Sequence, residues 1–156
     1  MRKWIWLLFV VFSFPVCAAN FPYFSSLKAA EINLRTGPGE RFPIQWVYTQ
    51  RGLPVEVIDE FDVWLKIKEQ DGTQGWVHKN MLSSRRTALT PPDQTTSVYK
   101  KKSLASPVIA VLKGEFIVNL LSCPKTETFC LIQVQDVKGW VQRKSLWGVY
   151  PNEEVK

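Results

Sequence analysis

The chain carries one histidine, His78, and three cysteines, Cys17, Cys123 and Cys130, so the chemistry open to it is narrow. Nucleophilic catalysis needs a base beside the nucleophile and a third group to orient that base. His78 follows Gly75-Trp76-Val77 directly, and no serine or cysteine stands in a hydrolase motif. It reads as a surface or partly buried residue at the end of a strand. The carboxylate pairs Asp59-Glu60 and Glu153-Glu154 fall in a turn and a tail, where they serve solvation rather than general acid/base work. One histidine, with Cys123 and Cys130 expected to pair as a disulfide, does not supply the three or four ligands of a metal site. No catalytic residue, metal site or cofactor is expected, and the chain reads as non-enzymatic.

Binding chemistry has a better candidate. In Val63-Trp64-Leu65-Lys66-Ile67-Lys68 the period-two alternation sends Leu65 and Ile67 to one face and Trp64, Lys66 and Lys68 to the other. A tryptophan on the charged face is unexpected for packing alone, because a half-solvated sheet keeps its large apolar residues on the buried side. Phe129 occupies the same parity relative to Cys130 and Ile132.

The elements that must position these residues read as β throughout. Pro54 to Glu60 and Val63 to Glu69 have high β propensity, and Asp71-Gly72 supplies the residues of a tight turn. Glu31 to Leu34 and Ile44 to Tyr48 are apolar strands on either side of a long irregular excursion, Arg35 to Pro43. No helix longer than a turn is required. Five short strands, one long early loop and tight later turns describe a small barrel.

The unit is repeated. Gly75-Trp76-Val77 recurs as Gly139-Trp140-Val141, Trp64-Leu65-Lys66-Ile67 matches Phe129-Cys130-Leu131-Ile132, Gly52 matches Gly114, and Pro43-Ile44 matches Pro107-Val108. The expected organisation is a unit over 24–84, a linker over 85–96 around Thr90-Pro91-Pro92-Asp93, and a second unit over 97–151.

Ahead of both, Arg2 and Lys3, an apolar run from Trp4 to Phe14, then Pro15 and Cys17-Ala18-Ala19 have the order of a secretory signal over 1–19. Cleavage is expected after Ala19, with Ala18 nearly as good a site. The run is shorter than the roughly 20 residues of a spanning helix, so no stable membrane insertion is expected after cleavage. Loss of Arg2 and Lys3 lowers the formal charge from +6 to 6 − 2 = +4. That mild charge is scattered apart from Lys100-Lys101-Lys102 and Arg85-Arg86, which read as solvated loops, so nucleic acid is not an expected partner. Export leaves Cys123 and Cys130, seven positions apart, as one expected disulfide.

Asn33-Leu34-Arg35-Thr36-Gly37-Pro38-Gly39, then Arg51-Gly52-Leu53-Pro54-Val55-Glu56-Val57 and Gly75-Trp76-Val77-His78, resemble the bacterial SH3 (SH3b) domain family. The likeness runs through the second copy to Leu146-Trp147-Gly148-Val149-Tyr150-Pro151 and is that of stand-alone, exported two-domain members in Gram-negative bacteria. It implies two tandem SH3-like β-barrels and a periplasmic or secreted binding module for peptidoglycan or its peptides; the alternative is an adaptor for another envelope protein. In such folds Trp64 borders a groove against the long early loop; the expectation is that Trp64 and Phe42 form its apolar floor while Arg35 and Asp62 address the charged ends of a peptide, the alternative being that Trp64 is covered by the linker or the other barrel. Trp76 and Trp140 are assigned to the framework. In the second copy Tyr99-Lys100-Lys101-Lys102-Ser103 replaces the Arg-Thr-Gly-Pro-Gly stretch, so that copy is expected to be structural or to bind something else.

Overall fold

The computed structural model describes residues 20–156, and the leader expected over 1–19 lies outside the described residues. Strands β1 (Tyr23–Leu27), β2 (Ile32–Arg35), β3 (Ile44–Tyr48), β4 (Pro54–Phe61), β5 (Trp64–Lys68), β6 (Gln74–His78) and β7 (Leu82–Ser83) form one antiparallel sheet in the order β3-β2-β6-β5-β4-β1-β7. Strands β8 (Thr87–Leu89), β9 (Thr95–Tyr99), β10 (Val108–Lys113), β11 (Ile117–Ser122), β12 (Phe129–Val134) and β13 (Val137–Gln142) form a second, in the order β10-β9-β13-β12-β11-β8. Among the described residues the only helical pieces are the 3-10 turns Lys79–Met81 and Arg143–Ser145. None is long and apolar enough to cross a membrane. The all-β architecture expected from the alternation is the one observed, with the strands in two antiparallel sheets.

Period-two burial explains each unit. Leu65 and Ile67 of β5 and Val77 of β6 point into a core shared with Leu34, Val55 and Val57, while Trp64, Lys66 and Lys68 are half-buried on the opposite face. The second unit builds a separate core around Val98, Val118, Ile132 and Val141. The repeated Gly-Trp-Val has a packing cause. Gly75 faces Ile67 across the β5–β6 ladder and Gly139 faces Ile132 across β12–β13. A Cβ on Gly75 would lie 2.5 Å from Leu34 Cγ, and one on Gly139 would lie 2.6 Å from Val98 Cγ1. Glycine is what lets the neighbouring strand close over the core. Asp71 shapes the β5–β6 turn as expected, its Oδ1 accepting from Thr73 N at 2.8 Å. Cys123 and Cys130 form the expected disulfide, joining the end of β11 to β12.

The boundaries differ from the expectation in two places. The stretch 85–96 is not a plain linker: Thr87–Leu89 is β8, paired with β11, and Leu89 also bridges to Trp147. Thr90 is fully buried, donating to Gly114 O at 2.7 Å and accepting from Phe116 N at 2.9 Å. A three-residue strand is too short for its alternation to register, and the adjoining prolines imitate a loop. Second, the C-terminal residues belong to the second unit, since Val155 pairs with Cys123 and is 5% exposed. Arg86 and Glu153, expected in a solvated loop and tail, are half-buried. Arg86 is ion-paired with Glu153 and donates to Gly148 O at 2.8 Å, and Glu153 also accepts from Tyr150 N at 3.0 Å. Lys100, Lys101 and Lys102 are exposed as expected, with Lys102 ion-paired to Glu127.

The two units touch through named contacts. Thr87 Oγ1 donates to Gly52 O at 2.8 Å, and Tyr150 Oη donates to Glu56 Oε1 at 2.7 Å. Phe24 of β1 is buried against Trp147 and Tyr150, with ring centroids 5.2 and 4.7 Å apart.

Candidate functional site

The outer face of the first sheet assembles the site. Because Trp64 of β5 pairs with His78 of β6, their side chains emerge side by side, with ring centroids 5.6 Å apart and planes at 82°. His78 ends its strand as expected, and its Nδ1 accepts from Asn80 N at 3.2 Å, which caps the 3-10 turn Lys79–Met81. That bond assigns the ring proton of the neutral form to Nε2.

Arg35 reaches the same place from the end of β2, after a bulge between Leu34 and Arg35. Its Nη1 donates to Glu40 O at 3.0 Å and to Phe42 O at 2.9 Å, so the guanidinium braces the loop of residues 36–43. Between this loop and the β5–β6 face lies a cleft of about 260 Å³, lined by Glu31, Ile32, Asn33, Arg35, Glu40, Trp64, His78 and Met81. The indole and the thioether offer apolar surface, while one guanidinium, one imidazole and the carboxylates of Glu31 and Glu40 offer charge and hydrogen bonding. An extended peptide with charges of both signs meets complementary groups there.

Of the four residues expected in the groove, Arg35 and Trp64 come together, whereas Phe42 and Asp62 do not line the cleft. Phe42 turns inward on its own loop. An ideal Cβ on Gly37 would sit 2.4 Å from Phe42 Cδ1, so the ring occupies the space left by the missing side chain, and the Arg41 guanidinium lies 5.1 Å from its centroid. Phe42 offers Arg35 its backbone carbonyl, and its ring forms no apolar floor to the cleft. Asp62 stands at the β4–β5 turn with φ 55°, exposed, a left-handed position that aspartate tolerates. The polar groups that do line the cleft beside Arg35, namely Glu31, Glu40 and His78, were not selected from sequence. The direct succession of His78 upon Gly-Trp-Val carries that information, because strand pairing then sets it opposite Trp64.

The second unit treats the equivalent position differently. Tyr99 pairs with Trp140 as Arg35 pairs with Trp76. The Tyr99 ring lies edge-on to Phe129 at 5.9 Å, and Phe129 is only 6% exposed. An aromatic thus covers the Phe129 ring where the first unit leaves Trp64 half-exposed beside an arginine. Trp76 and Trp140 are each half-buried on the outer faces.

Among the described residues, no three His, Cys, Asp or Glu side chains gather closely enough to hold a metal ion. Comparison with known proteins finds that residues 28–84 match the bacterial SH3 domain family. Comparison with curated proteins finds no match. Among solved structures, NlpC1 from Trichomonas vaginalis aligns with 10% identity and a TM-score of 0.37, over 83% of this chain and 46% of that one. NlpC2 from the same organism aligns with 12% identity and a TM-score of 0.37, over 83% of this chain and 49% of that one. The chain spans about half the length of these two structures. Residues 28–84, just over a third of the chain, are therefore similar to the bacterial SH3 domain family.

Proposed function

We propose that the protein is a non-catalytic binding module of the bacterial cell envelope, exported to the periplasm, and that the Arg35–Trp64 cleft holds a peptide of peptidoglycan. One observation carries the reading: the same fold position is left open over Trp64 in the first unit and is covered by Tyr99 over Phe129 in the second. A half-exposed indole flanked by charges of both signs suits an amphoteric peptide, and aromatic anchors dominate binding energies. Bacterial SH3 domains are typically cell-wall binding modules, which supports the choice of ligand. The leader-like start and the Cys123–Cys130 disulfide support an oxidising, exported location.

The test is co-sedimentation of the chain from Asn20 onward with insoluble sacculi. The wild type is expected in the pellet. Trp64→Ala is expected to lose about thirtyfold in affinity, corresponding to a hot-spot contact of about 2 kcal/mol, while keeping its circular dichroism spectrum. Undiminished binding by a folded Trp64→Ala protein overturns the site.

A second reading, an adaptor for another envelope protein, is favoured by the outermost strand β3. There Ile44, Trp46 and Val47 are 48%, 60% and 40% exposed along an unpaired edge, and such edges accept a partner strand. Wild-type protein that stays in the supernatant, with a periplasmic crosslink mapping to β3, selects this reading.

A further inference from the structure

We propose that the cleft between the two units is a second binding site, and that its ligand is an organic ammonium group carried on an apolar stem. The cleft has a volume of about 560 Å³; Trp46, Tyr48, Glu69 and Asp71 line it from the first unit and Glu115 and Trp147 from the second. It is separate from the Arg35–Trp64 cleft, with which it shares no lining residue.

Three features of the cavity agree on the ligand class. The first is charge: in a chain of formal charge +6, not one lysine or arginine lines this cavity, yet three carboxylates do. Among the described residues, none of Glu69, Asp71 and Glu115 takes part in an ion pair. The carboxylates also sense one another across the junction. Burial, and then the charges of Asp71 and Glu115, push the Glu69 carboxyl above its ordinary range, against the opposing effect of the Tyr48 hydrogen bond. A bound cation relieves that repulsion.

The second feature is the wall. Trp46 is 60% exposed and Trp147 is half-buried, and indole faces attract cations. Apolar stems gain from the same rings. The third is order. Tyr48 Oη donates to Glu69 Oε1 at 2.5 Å, which fixes the direction of that carboxylate before any ligand arrives. The acids surround a space and do not converge on a point, since among the described residues no trio is close enough to chelate a metal ion. A bulky cation fits such spacing, and a small divalent ion does not.

The test follows the indole Nε1–H resonances of Trp46, Trp147 and Trp64 in the ¹⁵N-labelled chain from Asn20 onward, titrated with Nα-acetyl-lysine amide. The uncharged Nα,Nε-diacetyl-lysine amide and the neutral sugar N-acetylglucosamine are run in parallel. The expected result is a saturable shift of Trp46 and Trp147, with half-saturation near or below about 1 mM, for the charged probe alone. Glu115→Gln, at an exposed position, is expected to weaken it at least tenfold, and the tail control Glu154→Gln to leave it unchanged. Trp64→Ala is expected to bind the probe normally, so this site and the peptide cleft fail or stand separately. The proposal is overturned if no saturable shift occurs, if the diacetyl compound or the sugar binds as well as the charged probe, if Glu115→Gln binds normally, or if Trp64 responds in place of Trp46 and Trp147.

Discussion

At Gly75 the missing side chain determines where β2 can run. An added Cβ would meet Leu34 Cγ at 2.5 Å and the Arg35 carbonyl oxygen at 2.9 Å, and the second of these is backbone that cannot rotate aside. Gly75→Ala is therefore expected to destabilise the first unit by about 1 to 3 kcal/mol, the usual cost of overpacking, read as a lower urea midpoint. Because the displaced strand ends in Arg35, sacculus binding should weaken as well. An unchanged midpoint would show that β2 yields freely. The Arg35 guanidinium depends on a similar economy of space, since the loop it braces is filled by Phe42 packed over Gly37. Neither effect shows in the residue types taken singly. A glycine that permits close approach reads the same in sequence as one that only turns the chain.

Two elements carry the stability predictions. The disulfide closes the β11–β12 connection across a separation of seven residues. In the chain-entropy model a loop of that size restricts the unfolded chain enough to stabilise the fold by about 2 to 3 kcal/mol. Cys123→Ser with Cys130→Ser should lose about that much by urea unfolding, with the loss confined to the second unit. Denaturing, non-reducing thiol labelling of the exported wild type should find no free cysteine. The second element is the pair of phenols at the junction. Burial, then donation to Glu69, raises the Tyr48 hydroxyl above its ordinary value, and burial, then donation to Glu56, does the same for Tyr150. Unfolded tyrosine ionises near pH 10, while the folded phenols hold their protons to higher pH. Their contribution is thus complete below about pH 10 and declines as the pH climbs beyond it. Melting temperature should fall steeply above that point, and less steeply in Tyr48→Phe, although this variant starts lower at neutral pH for want of the hydrogen bond. Parallel alkaline slopes in the two proteins would contradict the assignment.

At the scale of the whole molecule, the units are coupled through the bond from Thr87 to Gly52, the bond from Tyr150 to Glu56 and the packing of Phe24 on Trp147 and Tyr150. The acidic cleft is lined by residues of both units, whereas the Arg35–Trp64 cleft is lined by the first unit alone. The proposed location has its own test. Expressed from Met1 in a Gram-negative host, the protein should enter the periplasmic fraction with an intact mass that begins at Asn20. Full-length chain recovered from the membrane fraction would refute processing by signal cleavage.

What the sequence determined by itself was local and periodic. The alternation in Val63 to Lys68 assigned Leu65 and Ile67 to the core and Trp64 to the outer face, Asp71 marked its turn, the recurring Gly-Trp-Val disclosed the duplication, and the cysteine pair named its own bridge. Each of these rests on neighbours a few positions apart, where backbone geometry alone sets side-chain direction. The tertiary structure decided the rest. It turned Phe42 back onto Gly37, left Asp62 outside the cleft, brought Glu31, Glu40 and His78 beside Trp64, laid Tyr99 over Phe129, drew β8 out of the expected linker, and placed Glu69 and Glu115 on the lining of one cleft. Loops have no repeat from which to read direction, and contacts between residues far apart in the chain depend on how whole sheets pack; neither is encoded in any short window of residues.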